Sequence, residues 1–147
     1  LVFCHEHVQI LNGTICFMKL NKELSEAVSE PVFMFSGKEA YTACHSEDGR
    51  DVTDGPFMYE GKNGRLYMIW STCANGYHQC LAVSDNGQLD GNWIQLEPIF
   101  TEDGGHGMLF RDFEGNLKLT LHCPNISLKE HPVFFDMEDT GDRLSVK

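Results

Sequence analysis

The chain has 147 residues, enough for one domain with a substantial core that needs no metal or disulfide staple. Hydrophobic residues make up 41% of it and charged residues 22%, which excludes collagen-like, coiled-coil and disordered readings. Twenty-two Asp and Glu against 11 Lys and Arg give a net charge of −11, which repels phosphate backbones and anionic membranes, so neither nucleic acid nor a membrane is an expected partner.

The longest purely apolar run, Leu66 to Trp70, is far short of the roughly 20 residues a spanning helix needs. The opening Leu1-Val2-Phe3-Cys4 reads as the middle of a buried strand, so the sequence is expected to be a piece of a longer protein. Short runs of Phe, Tyr, Trp, Val and Ile follow one another along the chain. They are separated at Asn12-Gly13, Asp48-Gly49, Asn63-Gly64, Asn86-Gly87 and Glu114-Gly115-Asn116, as hairpin turns would separate them. Leu20, Leu24, Ala27 and Val28 repeat with helical spacing, but Pro31 and the flanking strand-like runs favour an irregular connection there, with at most a turn or two of helix.

Six cysteines, at 4, 16, 44, 73, 80 and 123, form no Cys-x-x-Cys pair and are expected to be buried free thiols. A zinc site on Cys4, His5 and His7 is not favoured: the His-Glu-His order lacks helical metal-ligand spacing and sets residues 5 and 7 on one face of a strand.

A repeat organises the chain. Gly55-Pro56-Phe57-Met58-Tyr59 leads through Asn63-Gly64 to Leu66 through Ser71, and Gly107-Met108-Leu109-Phe110 leads through Glu114-Gly115-Asn116 to Leu117 through His122. Aligning Ser71 with His122 gives a period of 51 residues (122 − 71), and aligning Cys4-His5 with Trp70-Ser71 gives 66 (71 − 5). Further strands at Gln79 to Ser84, Trp93 to Phe100 and Pro132 to Asp136 complete four-stranded units at a period near 50, the mark of propeller blades. The expected fold is all-β: part of a β-propeller of about two and a half blades of four-stranded antiparallel sheet. Its units are a blade remnant over 1–36, a blade over 52–100 and a blade over 104–147, with two apolar blade faces left open.

The first residues of an innermost strand point into the pocket at one mouth of a propeller, so polar residues there signal function. Asp54 and His106 are expected at equivalent starts of two such strands. Second strands running back to the same mouth would set His5, Glu6, Ser71, Thr72 and His122 on the rim, with Trp70 and Tyr77 as candidate platforms for a sugar ring. Most of them have a structural alternative: turn hydrogen bonds for Asp54, packing for His106, Trp70 and Tyr77, strand capping for Ser71 and Thr72, a solvated charge for Glu6.

Cys4-His5-Glu6-His7-Val8-Gln9, Thr53-Asp54-Gly55-Pro56-Phe57, Glu102 through Met108 and Leu121-His122-Cys123-Pro124-Asn125 together resemble the C-terminal half of a glycoside hydrolase family 43 domain, a five-bladed propeller. Four motifs in order and spacing over nearly the whole chain make the resemblance far more specific than any one of them. It implies an inverting hydrolase of arabinose- or xylose-containing plant polysaccharides or oligosaccharides, with a general base Asp, an orienting Asp and a general acid Glu. The two Asp would lie in N-terminal blades missing from this sequence, so the segment alone is expected to be inactive.

The acid's family position, directly before Gly-Pro, holds Asp54 instead of Glu, which favours Asp54 as the acid and leaves Glu6 as the alternative. The resemblance implies no required cofactor, and gives His106 the place of a histidine that helps hold hydrated calcium or another ion through water. Two rivals remain. One is an inactive carbohydrate-binding propeller. The other is a glycoside phosphorylase, which needs a phosphate-holding Arg, Lys and His cluster that Arg65 and Arg111, both near hairpin turns, do not form.

Overall fold

A computed structural model describes residues 1–42 and 49–147 of the chain. Cys44 and the first residue of the Asp48-Gly49 turn lie outside the described residues. Among the described residues eleven strands form three antiparallel sheets. The first joins β1 (Val2–His5), β2 (Thr14–Phe17) and β3 (Val32–Ser36). The second joins β4 (Asp54–Glu60), β5 (Leu66–Ala74), β6 (Gly76–Ser84) and β7 (Trp93–Phe100) in sequential order. The third joins β8 (Gly105–Arg111), β9 (Leu117–Cys123), β10 (His131–Asp139) and β11 (Leu144–Val146) in the same way. This is the expected all-β, partial-propeller architecture.

The turns explain the hairpins. Asn63 and Gly64 take left-handed φ of 65° and 70°, the backbone that Asn-Gly pairs tolerate, and join β4 to β5. Asn12-Gly13 behaves otherwise. A single helical turn, α1 (His7–Ile10), precedes it, so β1 ends at His5, and the expectation that His5 and His7 share a strand face is corrected. Residues 18–31 form an irregular connection in which the Asn21 side chain accepts backbone N–H bonds from Ser25 and Glu26, bonds that compete with a helix. Cys4, Cys16, Cys73, Cys80 and Cys123 are free thiols as expected, but of these only Cys16 and Cys80 are buried, and Cys73, near the end of β5, is exposed. Among the described residues no helix is long and apolar enough to cross a membrane.

Two cores hold the sheets together. Tyr67, Ile69, Leu81 and Val83 of the second sheet pack on Leu109, Leu119, Leu121, Met137 and Leu144 of the third. Met68, Trp70, Cys80 and Ala82, from the opposite face of the same strands, pack on Ile15 and Phe35 of the first. The middle sheet is therefore buried on both faces, which is why Leu66–Trp70 and Cys80–Val83 are unbroken apolar runs. The outer faces carry exposed apolar side chains, Phe33 on the first sheet, Met108 and Phe134 on the third.

Asp139 ties the second hairpin to the third sheet. Its carboxylate accepts the Tyr59 hydroxyl at 3.0 Å and the backbone N–H groups of Lys62 and Gly141, each at 2.8 Å. Burial works to raise its pKa, but these three donors outweigh it and hold it below the ordinary carboxylate value. A lowered folded-state pKa adds stability that is fully present above the ordinary value and lost as pH falls through the lowered one. Asp139→Asn is expected to destabilise the protein by about 1–3 kcal/mol near pH 6. Urea unfolding followed from pH 6 to pH 3 should show the gap to wild type narrowing at the acid end.

Candidate active site

The two inner strands start with the same irregularity. In β4 the pairing with β5 shifts between Asp54 and Phe57, opposite Ser71; in β8 the pairing with β9 shifts between Gly105 and Met108, opposite His122. Asp54 is thus equivalent to Gly105, and Gly55 (φ 49°) to His106 (φ 52°). The expected equivalence of Asp54 and His106 is corrected by one residue. Neighbouring residues of a regular strand point to opposite faces; the bulge with its left-handed residue re-aims His106, and its Nδ1 lies 3.2 Å from Asp54 Oδ1. A left-handed backbone on a non-glycine residue costs about 1–2 kcal/mol. Here it is held by the His106 N–H bond to Ser71 Oγ at 2.8 Å. Gly55 makes room, since a Cβ there would stand 2.9 Å from His106 Cδ2.

The alignment of the first two sheets shifts likewise. Cys4 pairs with Ile15, and both face the second sheet; Ser71 pairs with Gln79, and both face the third. Cys4 therefore matches Ser71, one residue off the sequence alignment. As Ser71 faces the start of β8, so Cys4 faces the start of β4. Its Sγ and one carboxylate oxygen each of Glu6 and Asp54 lie within 4.8 Å of one another. Burial first, then the charges of Glu6 and Asp54, push the Cys4 thiol up to about 12, so it stays neutral beside them.

Asp54 is fixed from three sides. Oδ1 accepts the Gly55 N–H at 2.9 Å and faces His106; Oδ2 accepts the Tyr77 hydroxyl at 2.7 Å. Burial chiefly, and then the bond to Asp54, hold the Tyr77 hydroxyl well above its ordinary pKa, so it remains a donor. Glu6 is less constrained, 43% exposed, with His7 Nδ1 at 3.8 Å.

Several rim expectations change. Trp70 is no sugar platform: it is fully buried between the first two sheets, 5.2 Å from the Phe35 ring, with its indole N–H on Gln95 Oε1. Ser71 and Thr72 are buried too, Ser71 under His106 and Thr72 donating to the Val52 carbonyl, so neither offers a hydroxyl to the rim. Tyr77 is 4% exposed, its ring stacked on His122 at 5.4 Å, so it presents no open face to a sugar. His5 is exposed, but strand alternation turns it away from Cys4. His122 is half-buried; with His106, Thr120 and His131 it lines a cavity of about 330 Å³.

Two structuring residues escape the sequence reading. Gln79, fully buried, donates to the Trp70 carbonyl and accepts the Gly107 N–H, locking β8 to the second sheet; an amide inside an apolar run is its sequence signal. Asp103, itself left-handed at φ 57°, accepts the backbone N–H groups of Tyr77 and Asn125 and reads in the sequence only as a turn residue.

No family model matches the sequence, and no curated protein matches it. Solved structures do. An endo-arabinase from Bacteroides thetaiotaomicron superposes with a TM-score of 0.85 at 35% identity, over 93% of this chain and 50% of its own. An endo-1,4-beta-xylanase from the same organism gives 0.75 at 20% identity, over 92% and 50%. A thermostable family-43 glycoside hydrolase gives 0.73 at 19% identity, over 92% and 47%. The chain spans about half the length of these structures. Two buried cores, a repeated bulge that sets Asp54 against His106, and these superpositions converge: the chain carries the glycoside hydrolase family 43 fold, in part.

Proposed function

We propose that this chain forms the acid-bearing side of the active site of an inverting glycosidase that cleaves O-glycosidic bonds in arabinose- or xylose-containing plant polysaccharides or oligosaccharides. The observation that carries this reading is the meeting of Glu6, just past the end of β1, and Asp54, at the start of an inner strand of the adjacent sheet, with oxygens within 4.8 Å. An inverting pair needs about 6.5–9.5 Å between acid and base to admit water. Glu6 and Asp54 are too close for that, so both serve the leaving-group side, and the general base comes from further blades outside these residues.

Hydrogen-bond inventory divides the two roles. Asp54 Oδ1 takes an obligate N–H donor from Gly55, so a proton on Asp54 would sit on Oδ2 and point at the buried Tyr77 hydroxyl, away from a sugar. Glu6 is freer to present a proton. The geometry therefore favours Glu6 as general acid with Asp54 orienting it, although the family position had favoured Asp54.

Arg65 and Arg111 are spent on the carbonyls of Asp142 and Gly115, which speaks against a phosphorylase. His106 and Asp54 bring one imidazole and one already hydrogen-bonded carboxylate, too few oxygen ligands to hold calcium directly.

The test is to digest arabino- and xylo-oligosaccharides with the full-length protein and read the anomer first released by proton NMR. Inversion is expected. Retention would recast Glu6 and Asp54 as an acid and nucleophile pair, for which a separation of about 5–5.5 Å is usual. No release of sugar from any of them would favour a binding propeller.

A further inference from the structure

We propose that Tyr77 is the positioning residue that sets the Asp54 carboxylate, and that Asp103 in turn fixes Tyr77. The inference rests on the glycosidase reading above for its effect on rate, but its geometry stands apart from that reading. Tyr77 reaches Asp54 Oδ2 at 2.7 Å from within a pocket that closes round the phenol. One side of the ring is covered by the stacked His122 imidazole, 15° from parallel. Gly105 presses on it from the third sheet, where a Cβ would stand 2.6 Å from Tyr77 Cε1.

The backbone of Tyr77 is clamped in both directions. Its N–H donates to Asp103 Oδ1 at 3.1 Å, and its carbonyl accepts the Gly104 N–H at 2.8 Å. The other Asp103 oxygen accepts the Asn125 N–H at 3.2 Å, and Asn125 Oδ1 lies 3.1 Å from His122 Nε2. The contacts close a ring: Asp103 holds Tyr77 directly, and through Asn125 it holds the imidazole that stacks on Tyr77. With both faces fixed, the hydroxyl lies between Asp54 Oδ2, to which it donates, and the Ser71 hydroxyl, and Asp54 cannot turn about its Cα–Cβ bond without losing its bond to Tyr77. The other titratable groups beside Asp54 are Cys4 of the first sheet, Glu6 just after it, Cys73 of the second sheet and His106 of the third; His106 lies against Oδ1, not the Oδ2 that Tyr77 holds.

Tyr77→Phe keeps the ring and removes only the donor. In the full-length protein it is expected to lower kcat on an unactivated disaccharide about 10–100-fold, the worth of a hydrogen bond to a charged group, with KM within about twofold. An activated aryl glycoside, which needs little proton transfer, should slow less than about threefold. Asp103→Asn should give the same pattern more weakly. Proton NMR supplies the second measurement. The Tyr77 hydroxyl should give a slowly exchanging signal that is lost in Tyr77→Phe, moves upfield in Asp54→Asn as the charged acceptor goes, and stays put in Lys22→Gln.

A hydroxyl signal absent from wild type, or unmoved by Asp54→Asn, would overturn the proposal whatever the activity. So would Tyr77→Phe kinetics equal to wild type, or equal loss on both substrates with a lowered Tm, the mark of a merely structural role. If the signal behaves as expected but wild type hydrolyses no glycoside, the glycosidase reading fails while the Tyr77 clamp on Asp54 stands.

Discussion

Replacing Glu6 by Gln in the full-length protein is expected to slow hydrolysis of a natural arabino- or xylo-disaccharide about 10²–10⁴-fold, the usual worth of a positioned acid. An aryl glycoside with a good leaving group should lose far less, because a stable departing anion needs no proton. Asp54→Asn should show the same selectivity with a smaller loss: it keeps a side chain of the same shape between Tyr77, Gly55 and His106 but removes the charge that orients Glu6. Steady-state kinetics on the two substrates rank the two residues. The reverse ranking, with the larger selective loss in Asp54→Asn, would return the acid role to Asp54, the residue at the family's position before Gly-Pro.

Trp70→Ala is expected to cost about 3–5 kcal/mol of stability, as truncations of fully buried large aromatics do. The indole fills the space between Ile15 and Phe35 of the first sheet and Met68, Cys80 and Ala82 of the second. Its loss also strands the Gln95 side chain, which accepts the indole N–H at 3.1 Å. Urea unfolding of the variant measures the cost. A sugar platform would behave otherwise, raising KM while leaving the unfolding midpoint in place.

Trp70 shows why part of the site was illegible in the sequence. In a sheet with one wet face, alternation tells which residues point inwards; β5 is buried on both faces, so Leu66–Trp70 is one apolar run with no sign of which side the indole takes. Turns were legible wherever the residue type has a conformational reason, as at Asn63-Gly64, Asn86-Gly87 and 114–116. The four-residue helix at His7 was not, because one turn is too short to show a period. The repeat itself was plain from 55–71 and 107–122. Its register was in the sequence too, since the 51-residue period places Asp54 level with Gly105 and Gly55 with His106; what composition does not mark is the bulge that both strands carry and that turns His106 towards Asp54. Asp103 and Gln79 were overlooked because their partners are backbone groups of other segments, Tyr77 and Asn125 for one, Trp70 and Gly107 for the other, which residue type does not announce.

Gly55 and His106 hold matching backbone conformations in adjacent blades, and the ring of one occupies the space that a side chain on the other would need. The two positions are therefore coupled sterically. A side chain at 55 would meet both the imidazole and the Cα of His106 and would sit on a left-handed backbone, so a change at 106 to glycine relieves only the first of these. Substitution at 55 should cost stability in either background, and less where 106 carries no ring. Duplication of a blade would thus supply two backbone sockets but room for one ring, and divergence between the copies decides from which side the neighbour of Asp54 arrives.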